Sequence, residues 1–322
     1  MRAVRFHEHG GPEVLQVDDD VEDPEAGGHD VVVEVAGAGV NPVDTYFRGE
    51  GGYSPFTLPM IPGVDAAGTV VEVGEYADGY EVGDRVIATG LSRDHYGGYA
   101  EQVAVPTDRL AHVPEGVDLV EAGAAGVVAV TSWRALVSHA GLEPAETVLI
   151  HGGSGGVGHV AVQLAAAVGA HVITTAAPEY HDALSDLGAD AVFDYDRDDL
   201  ADAVRDEAGG GVDVILDHRL DDYMQFDADV AAVGCRVVGI GENDPHVEFT
   251  NDAAARSADL NVQFMTMFNT PSLAEGLERV AYLMGEGDID IELAGRYGFG
   301  EAAEAHRAVM EDSFLGKLVI EP

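Results

Sequence analysis

The sequence is almost devoid of lysine and cysteine. Its 322 residues include one lysine, Lys317, and one cysteine, Cys235. A single thiol excludes an internal disulfide and any metal site built from several cysteines. Cys235 lies in the apolar stretch Gly234–Ile240, which predicts a buried strand and a structural rather than a reactive thiol.

Basic residues in general are scarce. The chain has 59 acidic residues against 16 lysines and arginines, for a formal net charge of −43. Such a surface makes nucleic acids and anionic membranes poor partners. Its charges would repel one another over about 30 Å at roughly 0.01 M salt, but over only about 3 Å at molar salt. We therefore hypothesise a salt-rich cytoplasm, as in extreme halophiles; the alternative is an unusually acidic mesophilic protein.

Long apolar segments are also missing. Residues 2–20 contain Arg2, Arg5 and several acids, which argues against a signal peptide. The apolar run Ala122–Trp133 ends at Arg134 and is shorter than the roughly 20 residues that span a bilayer. We expect a cytoplasmic protein without membrane insertion.

The pattern along the chain predicts an α/β protein. Its length suits two domains of roughly 150 residues each. The first third consists of short β-branched runs separated by glycine, proline and acidic turns. From about Val117 onward, strands and helices alternate, which predicts a doubly wound parallel sheet of the Rossmann type with right-handed crossovers. The final strand, Lys317–Ile320, is predicted to return to the first domain.

A glycine-rich motif lies between an apolar strand and an amphipathic helix. In "ETVLIHGGSGGVGHVAVQLA", three glycines have the G-x-G-x-x-G spacing: Gly153, Gly155 and Gly158. Such glycines permit a tight turn, close approach of the backbone to a pyrophosphate, and close packing of helix on strand. The helix N-terminus then offers N–H groups to the phosphates. The motif predicts a dinucleotide site that also includes Ser154, Gly156 and Val157.

The choice of dinucleotide depends on the end of the next strand. An NAD-preferring site places an acidic residue there, roughly 20 residues past the turn, to bind the ribose 2′-hydroxyl. This sequence has Thr174, Thr175 and Ala176 instead, which favours NADPH. The nearest polar candidates for the 2′-phosphate are Tyr180, His181 and the more distant Tyr195.

Several segments together resemble the zinc-independent medium-chain dehydrogenase/reductases, in particular the quinone oxidoreductase (zeta-crystallin-like) family. The resemblance rests on stretches spread over the chain: "FHEHGGPEVLQV", "GAGVNPVDTYFRGEGGY", "IPGVDAAGTVVEVG", "VGDRV", "GGYAEQVAVP", "LIHGGSGGVGHVAVQLA", "LGADAVFDYD" and "GKLVI". It implies a GroES-like catalytic domain (residues 1–120) and a Rossmann NADP-binding domain (121–262). A C-terminal segment (263–322) is expected to complete the cofactor sheet edge and return to the catalytic domain. It also implies a homodimer.

The resemblance further implies roles for individual residues. Asn41, Tyr46 and Tyr53 match positions that line the nicotinamide and substrate cleft. The positions matching cofactor contacts are Thr131, Gly153, Ser154, Gly155, Gly156, Val157, Gly158, Thr175, Tyr180, Tyr195, Gly239, Gly241 and Lys317. One departure is the stretch "LDHRLDDYMQF", which replaces the family's glycine-rich turn after the strand ending at Asp217.

The residues expected of a zinc site are absent from the sequence. Zinc-dependent relatives have cysteine where this chain has Asn41 and histidine where it has Val64, and Val64 cannot bind zinc. Without a Lewis acid, hydride transfer to an already electrophilic acceptor is favoured over oxidation of an alcohol. We predict an NADPH-dependent quinone reductase, with Asn41 and Tyr46 as hydrogen-bond donors and Tyr53 shaping the cleft. An enone or alkenal reductase, and an NADPH-binding redox-sensing or structural protein, are the alternatives.

Overall fold

The computed structural model describes residues 1–49, 57–92 and 96–322. In chain order the strands are β1 (Ala3–Phe6), β2 (Leu15–Asp18), β3 (Asp30–Val40), β4 (Ala66–Val73), β5 (Arg85–Ala88), β6 (Gln102–Pro106), β7 (Leu110–His112), β8 (Thr147–Ile150), β9 (His171–Thr175), β10 (Ala191–Phe193), β11 (Val212–Asp217), β12 (Ala231–Gly239), β13 (Asn261–Phe264), β14 (Leu293–Gly298) and β15 (Lys317–Glu321). The α-helices are α1 (Pro42–Arg48), α2 (Leu119–Ser132), α3 (Gly156–Val168), α4 (His181–Asp186), α5 (Leu200–Glu207), α6 (Leu220–Val230), α7 (Asp252–Ser257), α8 (Leu273–Glu286) and α9 (Ala302–Glu311).

The chain divides into two compact units. The first comprises Met1–Val130, Thr270–Gly287 and Ile291–Pro322, and the second comprises Thr131–Asn269 and Asp288–Asp290. The boundary lies within α2, later than the division at residue 120 that we predicted. The reason is that α2 packs closely in the first unit: a Cβ atom on Gly123 would lie 2.2 Å from the carbonyl oxygen of Gly37.

The first unit is built on a sheet with the strand order β14-β15-β3-β4-β5-β7, and β6 also pairs with β3. Strand β3 is central because its alternating β-branched residues, such as Val31, Val33 and Val35, are buried in the core of this unit. Strand β15 pairs antiparallel with β3, so that Leu318 lies opposite Val40. This pairing brings the start of β15 to the end of β3, where α1 begins.

Strand β14 was not predicted from the sequence. It pairs parallel with β15, with Arg296 opposite Val319. The segment contains Gly295 and Gly298 and has no buried residues, so its composition does not resemble a strand. Its structure depends on its partner strand.

The second unit is a doubly wound sheet with the strand order β10-β9-β8-β11-β12-β13, in which each pairing is parallel. Its core contains apolar residues from the central strands, including Leu149, Ile173, Ile215 and Val237. The predicted α/β class is therefore confirmed. The order reverses at β8, whose neighbours are β9 and β11, and ligands of such sheets bind beyond the carboxyl ends of the strands at this point.

The helical segment after β7 extends beyond the apolar run of the sequence. A π-helical segment, Trp133–His139, continues directly from α2. The apolar run Ala122–Trp133 stops at Arg134, but the helix continues past it, because arginine is a good helix former and Arg134 Nη2 lies 3.0 Å from His139 Nε2, one turn further on. The resulting helix, Leu119–His139, could cross a membrane by length and composition alone, but 67% of its apolar window is buried inside the protein.

Candidate functional site

The glycine motif forms the turn between β8 and α3 in the second unit. Gly152 has a positive φ of 68°, a conformation that side chains disfavour. Gly155 is the N-cap residue of α3 and contributes no side-chain hydrogen bond to it. Among the described residues, no side chain therefore caps the first N–H groups of α3, which is the arrangement that binds phosphate at a helix N-terminus.

Two of the motif glycines leave no room for a side chain. A Cβ atom on Gly158 would lie 2.1 Å from the carbonyl oxygen of Gly152, and a Cβ atom on Gly153 would lie 2.2 Å from Thr174 Oγ1. A Cβ atom on Gly155 would meet its nearest neighbour only at 3.3 Å. The turn therefore presents bare backbone at the carboxyl end of the sheet, and this cradle fits the pyrophosphate of a dinucleotide.

Thr175 supports this turn from within the protein. Its hydroxyl oxygen accepts a hydrogen bond from the Gly152 N–H at 3.1 Å, and its carbonyl oxygen accepts one from the Gly153 N–H at 2.8 Å. Thr174 donates from Oγ1 to the carbonyl oxygen of Ile150 at 2.7 Å. Both threonine side chains are buried, so at the end of β9 they present neither a carboxylate nor a free hydroxyl.

Other predicted cofactor residues lie around the same edge of the sheet. Thr131 is adjacent to Ser132, whose hydroxyl donates to the Val157 carbonyl oxygen at 3.2 Å. Gly239 ends β12, and Gly241 accepts a hydrogen bond from the Leu220 N–H through its carbonyl oxygen at 3.2 Å. Tyr180 and Tyr195 follow β9 and β10, and Tyr195 is 45% exposed. Within the second unit, the structure thus gathers these residues at the carboxyl ends of the strands.

Arg197 is a candidate cofactor residue that our sequence analysis overlooked. It follows Tyr195 on the loop after β10, and its guanidinium lies 5.1 Å from the centre of the Phe193 ring. Phe193 is paired with Thr175, the last residue of β9. Arg197 therefore brings a positive charge to the rim where a 2′-phosphate is expected, although it also pairs with Asp199 at 2.7 Å. In the sequence, Arg197 is surrounded by four aspartates, so its positive charge does not stand out as part of a phosphate site.

A buried polar group lies next to the glycine turn. His151 ends the strand side of the turn, and its Nε2 lies 2.9 Å from Asp227 Oδ1, while its ring stacks on Tyr223 at 4.4 Å. Burial, with the neighbouring carboxyl of Asp227, raises the pKa of Asp217 to about 7. Burial raises the pKa of Asp227 to about 8. The Oδ2 atoms of both carboxyls lack any donor within the described residues, so no hydrogen bond at these atoms stabilises the ionised forms.

In the first unit, Asn41 and Lys317 belong to one buried hydrogen-bonded group. The ammonium of Lys317 donates to Asn41 Oδ1 at 2.6 Å and to the Val40 carbonyl oxygen at 2.7 Å. Asn41 Nδ2 donates to Asp65 Oδ2 at 2.9 Å, with a longer contact of 3.4 Å to the Gly39 carbonyl oxygen. Thr89 Oγ1 donates to Asp65 Oδ1 at 2.6 Å. Asn41 is only 2% exposed, so its amide is largely committed to the protein.

A second buried carboxyl holds the start of α1. Asp44 Oδ2 accepts the Asn41 N–H, and Asp44 Oδ1 accepts the Val64 N–H, both at 2.9 Å. Burial and the neighbouring charge of Asp65 raise the pKa of Asp44 to about 7. The Tyr99 hydroxyl lies 3.4 Å from Asp44 and 3.3 Å from His306 Nε2. The first turn of α1 is therefore fixed from several sides.

Helix α1 presents Tyr46, which is 45% exposed. Tyr53, the third predicted cleft residue, lies outside the described residues. Val64, at the position where zinc-dependent relatives have a histidine, is completely buried and apolar. Among the described residues, no cluster of three or more His, Cys, Asp or Glu side chains could hold a metal ion. Cys235 is buried, and burial raises the pKa of its thiol to about 12.

Two family models match the chain. Residues 27–115 match the "Alcohol dehydrogenase GroES-like domain" and residues 187–320 match the "Zinc-binding dehydrogenase" model. A quinone oxidoreductase from Homo sapiens is 42% identical over 180 residues, which are 56% of this chain and 54% of the human protein. The match thus spans about half the length of that relative.

Solved structures match over the whole chain. A mycobacterial quinone oxidoreductase is 30% identical, with a TM-score of 0.87 and complete coverage of both chains. Escherichia coli quinone oxidoreductase complexed with NADPH is 27% identical, with the same coverage and a TM-score of 0.87. An NAD-dependent alcohol dehydrogenase is 29% identical, again with complete coverage of both chains, and has a TM-score of 0.93. The chain therefore belongs to the medium-chain dehydrogenase/reductase family.

Proposed function

We propose that the protein is an NADPH-dependent, zinc-free oxidoreductase that transfers hydride to a quinone. The observation that carries the proposal is the bare-backbone cradle at Gly152–Gly158, whose tight packing leaves no room for a Cβ atom at Gly153 or Gly158. The relatives named as quinone oxidoreductases support the choice of acceptor. The structure of one such relative with NADPH supports the choice of cofactor.

The rim of the cradle also favours NADPH. Neither Thr174 nor Thr175 offers a carboxylate that would bind the 2′-hydroxyl of NADH and repel a 2′-phosphate. Tyr195 and Arg197 supply a ring and a cation on the adjacent loop. We assign to them the contact with the 2′-phosphate.

The donor chemistry of the first unit supports a reaction without zinc. Zinc requires three or four nitrogen, sulfur or oxygen ligands. Val64 supplies none, and the side chains of Asn41 and Asp65 are already hydrogen-bonded to Lys317, Thr89 and each other. A quinone is electrophilic enough to accept hydride once it is aligned and hydrogen-bonded.

The chain's own residues then have three tasks. When bound, the reduced nicotinamide supplies a hydride, which carries two electrons to the quinone. Tyr46, whose side chain is exposed, is proposed to donate a hydrogen bond to the quinone oxygen that gains charge. Asn41 is proposed to assist through the N–H that makes only the long contact to Gly39, and Tyr53 to shape the cleft. One proton from solvent or a tyrosine completes the hydroquinone.

The same site would serve two alternative functions. An enone or alkenal reductase would use the same hydride geometry on a carbon–carbon double bond. An NADPH-binding redox sensor would keep the cradle without turnover. The resemblance to an NAD-dependent alcohol dehydrogenase adds a third test substrate, a simple alcohol with NAD⁺.

A substrate panel tests the proposal directly. Oxidation of NADPH and NADH is followed with benzoquinones, enones and alkenals, and reduction of NAD⁺ is followed with a simple alcohol. Each assay is run with and without a chelator, in molar KCl because of the net charge of −43. We expect turnover with quinones, preference for NADPH, and no effect of the chelator. Turnover with enones or alkenals alone supports the enone or alkenal reductase. Tight NADPH binding without turnover supports the NADPH-binding redox sensor. Loss of activity with the chelator contradicts the zinc-free reaction.

We further propose the homodimer that the resemblance implies. Strand β13 is the last strand at one edge of the sheet in the second unit, and Phe264 at its end is 66% exposed. Exposed aromatic residues on an edge strand favour pairing with another chain. Sedimentation of the protein in molar KCl should give twice the mass of the 33.7 kDa chain, and the monomer mass contradicts the proposal.

A further inference from the structure

The one lysine of this chain lies in its interior. Lysine normally keeps its ammonium in water at the surface, and it is rarely fully buried unless paired. This sequence contains no surface lysine, yet it retains Lys317, which is only 4% exposed. A composition that disfavours lysine everywhere else indicates a specific requirement for an ammonium at this position.

The ammonium binds the junction between β3 and α1. Lys317 opens β15, whose pairing with β3 places it beside Val40 and Asn41. Its two hydrogen bonds, of 2.7 and 2.6 Å, go to the last carbonyl oxygen of β3 and to the side chain of the N-cap residue of α1. The C-terminal strand is thereby connected to the start of the helix that carries Tyr46.

These contacts fix the orientation of the Asn41 amide. An ammonium has donors only and an ionised carboxylate has acceptors only. With Lys317 on one side and Asp65 on the other, Oδ1 must face the ammonium and Nδ2 must face the carboxylate, as the distances of 2.6 and 2.9 Å show. Reversal of the amide would place the Asn41 NH₂ group against the ammonium, two donors together, and the amide oxygen against the carboxylate, two acceptors together.

The charges in this group depend on one another. Burial lowers the pKa of Lys317, while the charges of Asp65 and Asp44 act in the opposite direction. Burial raises the pKa of Asp65, while Lys317 and the hydrogen bond from Thr89 act against that shift. Removal of one charge therefore leaves the other buried without compensation, which is strongly destabilising.

We propose that Lys317 is a positioning residue: its ammonium orients the Asn41 amide and fixes the start of α1, so that Tyr46 is held for the reaction. The role in the reaction rests on the proposed function, whereas the role in placing Tyr46 does not. The compact, three-donor ammonium suits two acceptors on adjacent residues, and the planar guanidinium of arginine does not replace it.

Kinetics separate positioning from simple charge balance. We expect Lys317→Met to lower kcat by about tenfold or more, with KM for NADPH within about twofold of wild type. In the double variant Lys317→Met/Asp65→Asn, part of the lost thermal stability should return because Asp65 is no longer a buried charge without its counter-charge, but kcat should not recover. Wild-type kcat in Lys317→Met, or recovery of kcat together with stability in the double variant, would overturn the proposal.

Arg85→Met is the matched control. Arg85 is a partly buried cation of the same unit that donates to the carbonyl oxygens of Pro114 and Val117 and has no bond to Asn41. We expect this variant to lose stability and keep its kcat. A loss of kcat equal to that of Lys317→Met would assign both effects to general destabilisation.

A readout without turnover keeps this inference separate from the proposed function. Fluorine NMR of protein labelled with fluorotyrosine reports Tyr46, and Tyr46→Phe assigns its signal. Lys317→Met and Lys317→Arg should each shift that signal, and Arg85→Met should not. An unshifted signal in both Lys317 variants contradicts the positioning role, even if the wild type reduces no quinone. If Lys317→Met does not fold, the result for Lys317→Arg, which retains the charge, decides the test.

Discussion

His151 Nε2 lies 2.9 Å from Asp227 Oδ1, and both side chains are almost completely enclosed. Burial lowers the pKa of His151 to about 4 and raises that of Asp227 to about 8. Near neutral pH, the uncharged forms of both groups are therefore favoured. Because His151 directly precedes Gly152, the glycine turn is adjacent in the chain to a buried group whose charge changes with pH.

Asp227 predicts a loss of stability as the pH rises from about 4 to about 8. Its folded pKa lies above the unfolded value of about 3.9, so the stability that it contributes is complete below about pH 4 and is lost as the pH rises through about 8. Asp227→Asn does not titrate. Between about pH 5 and about pH 9, we expect this variant to lose less free energy of unfolding than wild type, by at least about 1.4 kcal/mol.

Denaturant unfolding in molar KCl measures this difference. Asp229→Asn is the control, because Asp229 lies on the same helix and its side chain is exposed. The control should follow wild type across the pH range. Equal pH dependence of wild type and Asp227→Asn would show that Asp227 ionises freely in the folded protein.

Gly158→Ala should damage the cofactor cradle. The added Cβ atom would lie 2.1 Å from the Gly152 carbonyl oxygen, so the turn has to open. We expect the Kd for NADPH, measured by equilibrium fluorescence, to rise at least about tenfold, or about 1.4 kcal/mol. Gly300→Ala is the control because its Cβ atom would meet no atom of the described residues within 4 Å. Unchanged NADPH affinity in Gly158→Ala contradicts a pyrophosphate site at this turn.

Arg197→Ala should change the preference between cofactors. Loss of the guanidinium above Phe193 removes a positive charge at the rim, so KM for NADPH should rise by about threefold or more while KM for NADH stays constant. Arg205→Ala removes a nearby arginine that pairs with Asp202 on α5 and should change neither constant. Equal changes for both cofactors would remove Arg197 from the 2′-phosphate site.

Tyr46→Phe separates hydrogen-bond donation from packing. The side chain is 45% exposed, so loss of the hydroxyl should leave the fold intact. We expect kcat/KM for a quinone to fall about tenfold while NADPH affinity is unchanged. Tyr76→Phe, at a tyrosine of the same unit that is 54% exposed, should have wild-type kinetics. If Tyr46→Phe also has wild-type kinetics, only a packing role remains for Tyr46.

The glycine turn could be predicted because all of its determinants are local. The strand, the spacing of Gly153, Gly155 and Gly158, and the helix follow one another in the sequence. Strand β14 could not be predicted, because Leu293–Gly298 becomes a strand only through its pairing with β15.

The buried groups depend on contacts between distant parts of the chain. Asn41 and Lys317 are 276 residues apart, and only the pairing of β15 with β3 brings them together. Asp227 is one of 59 acidic residues, and nothing in its neighbourhood on α6 marks it as buried. In so acidic a sequence, composition conceals the few carboxyls that lie in the interior.

Single-turnover reduction of a quinone tests the central claim most directly. NADPH carrying deuterium at the transferred position of the nicotinamide is bound to chelator-treated enzyme in molar KCl and mixed with benzoquinone in a stopped-flow instrument. We predict a single exponential loss of NADPH absorbance that is slower with deuterium than with hydrogen and unchanged by the chelator. A rate that is insensitive to deuterium, or that depends on added zinc, would contradict metal-free hydride transfer by this protein.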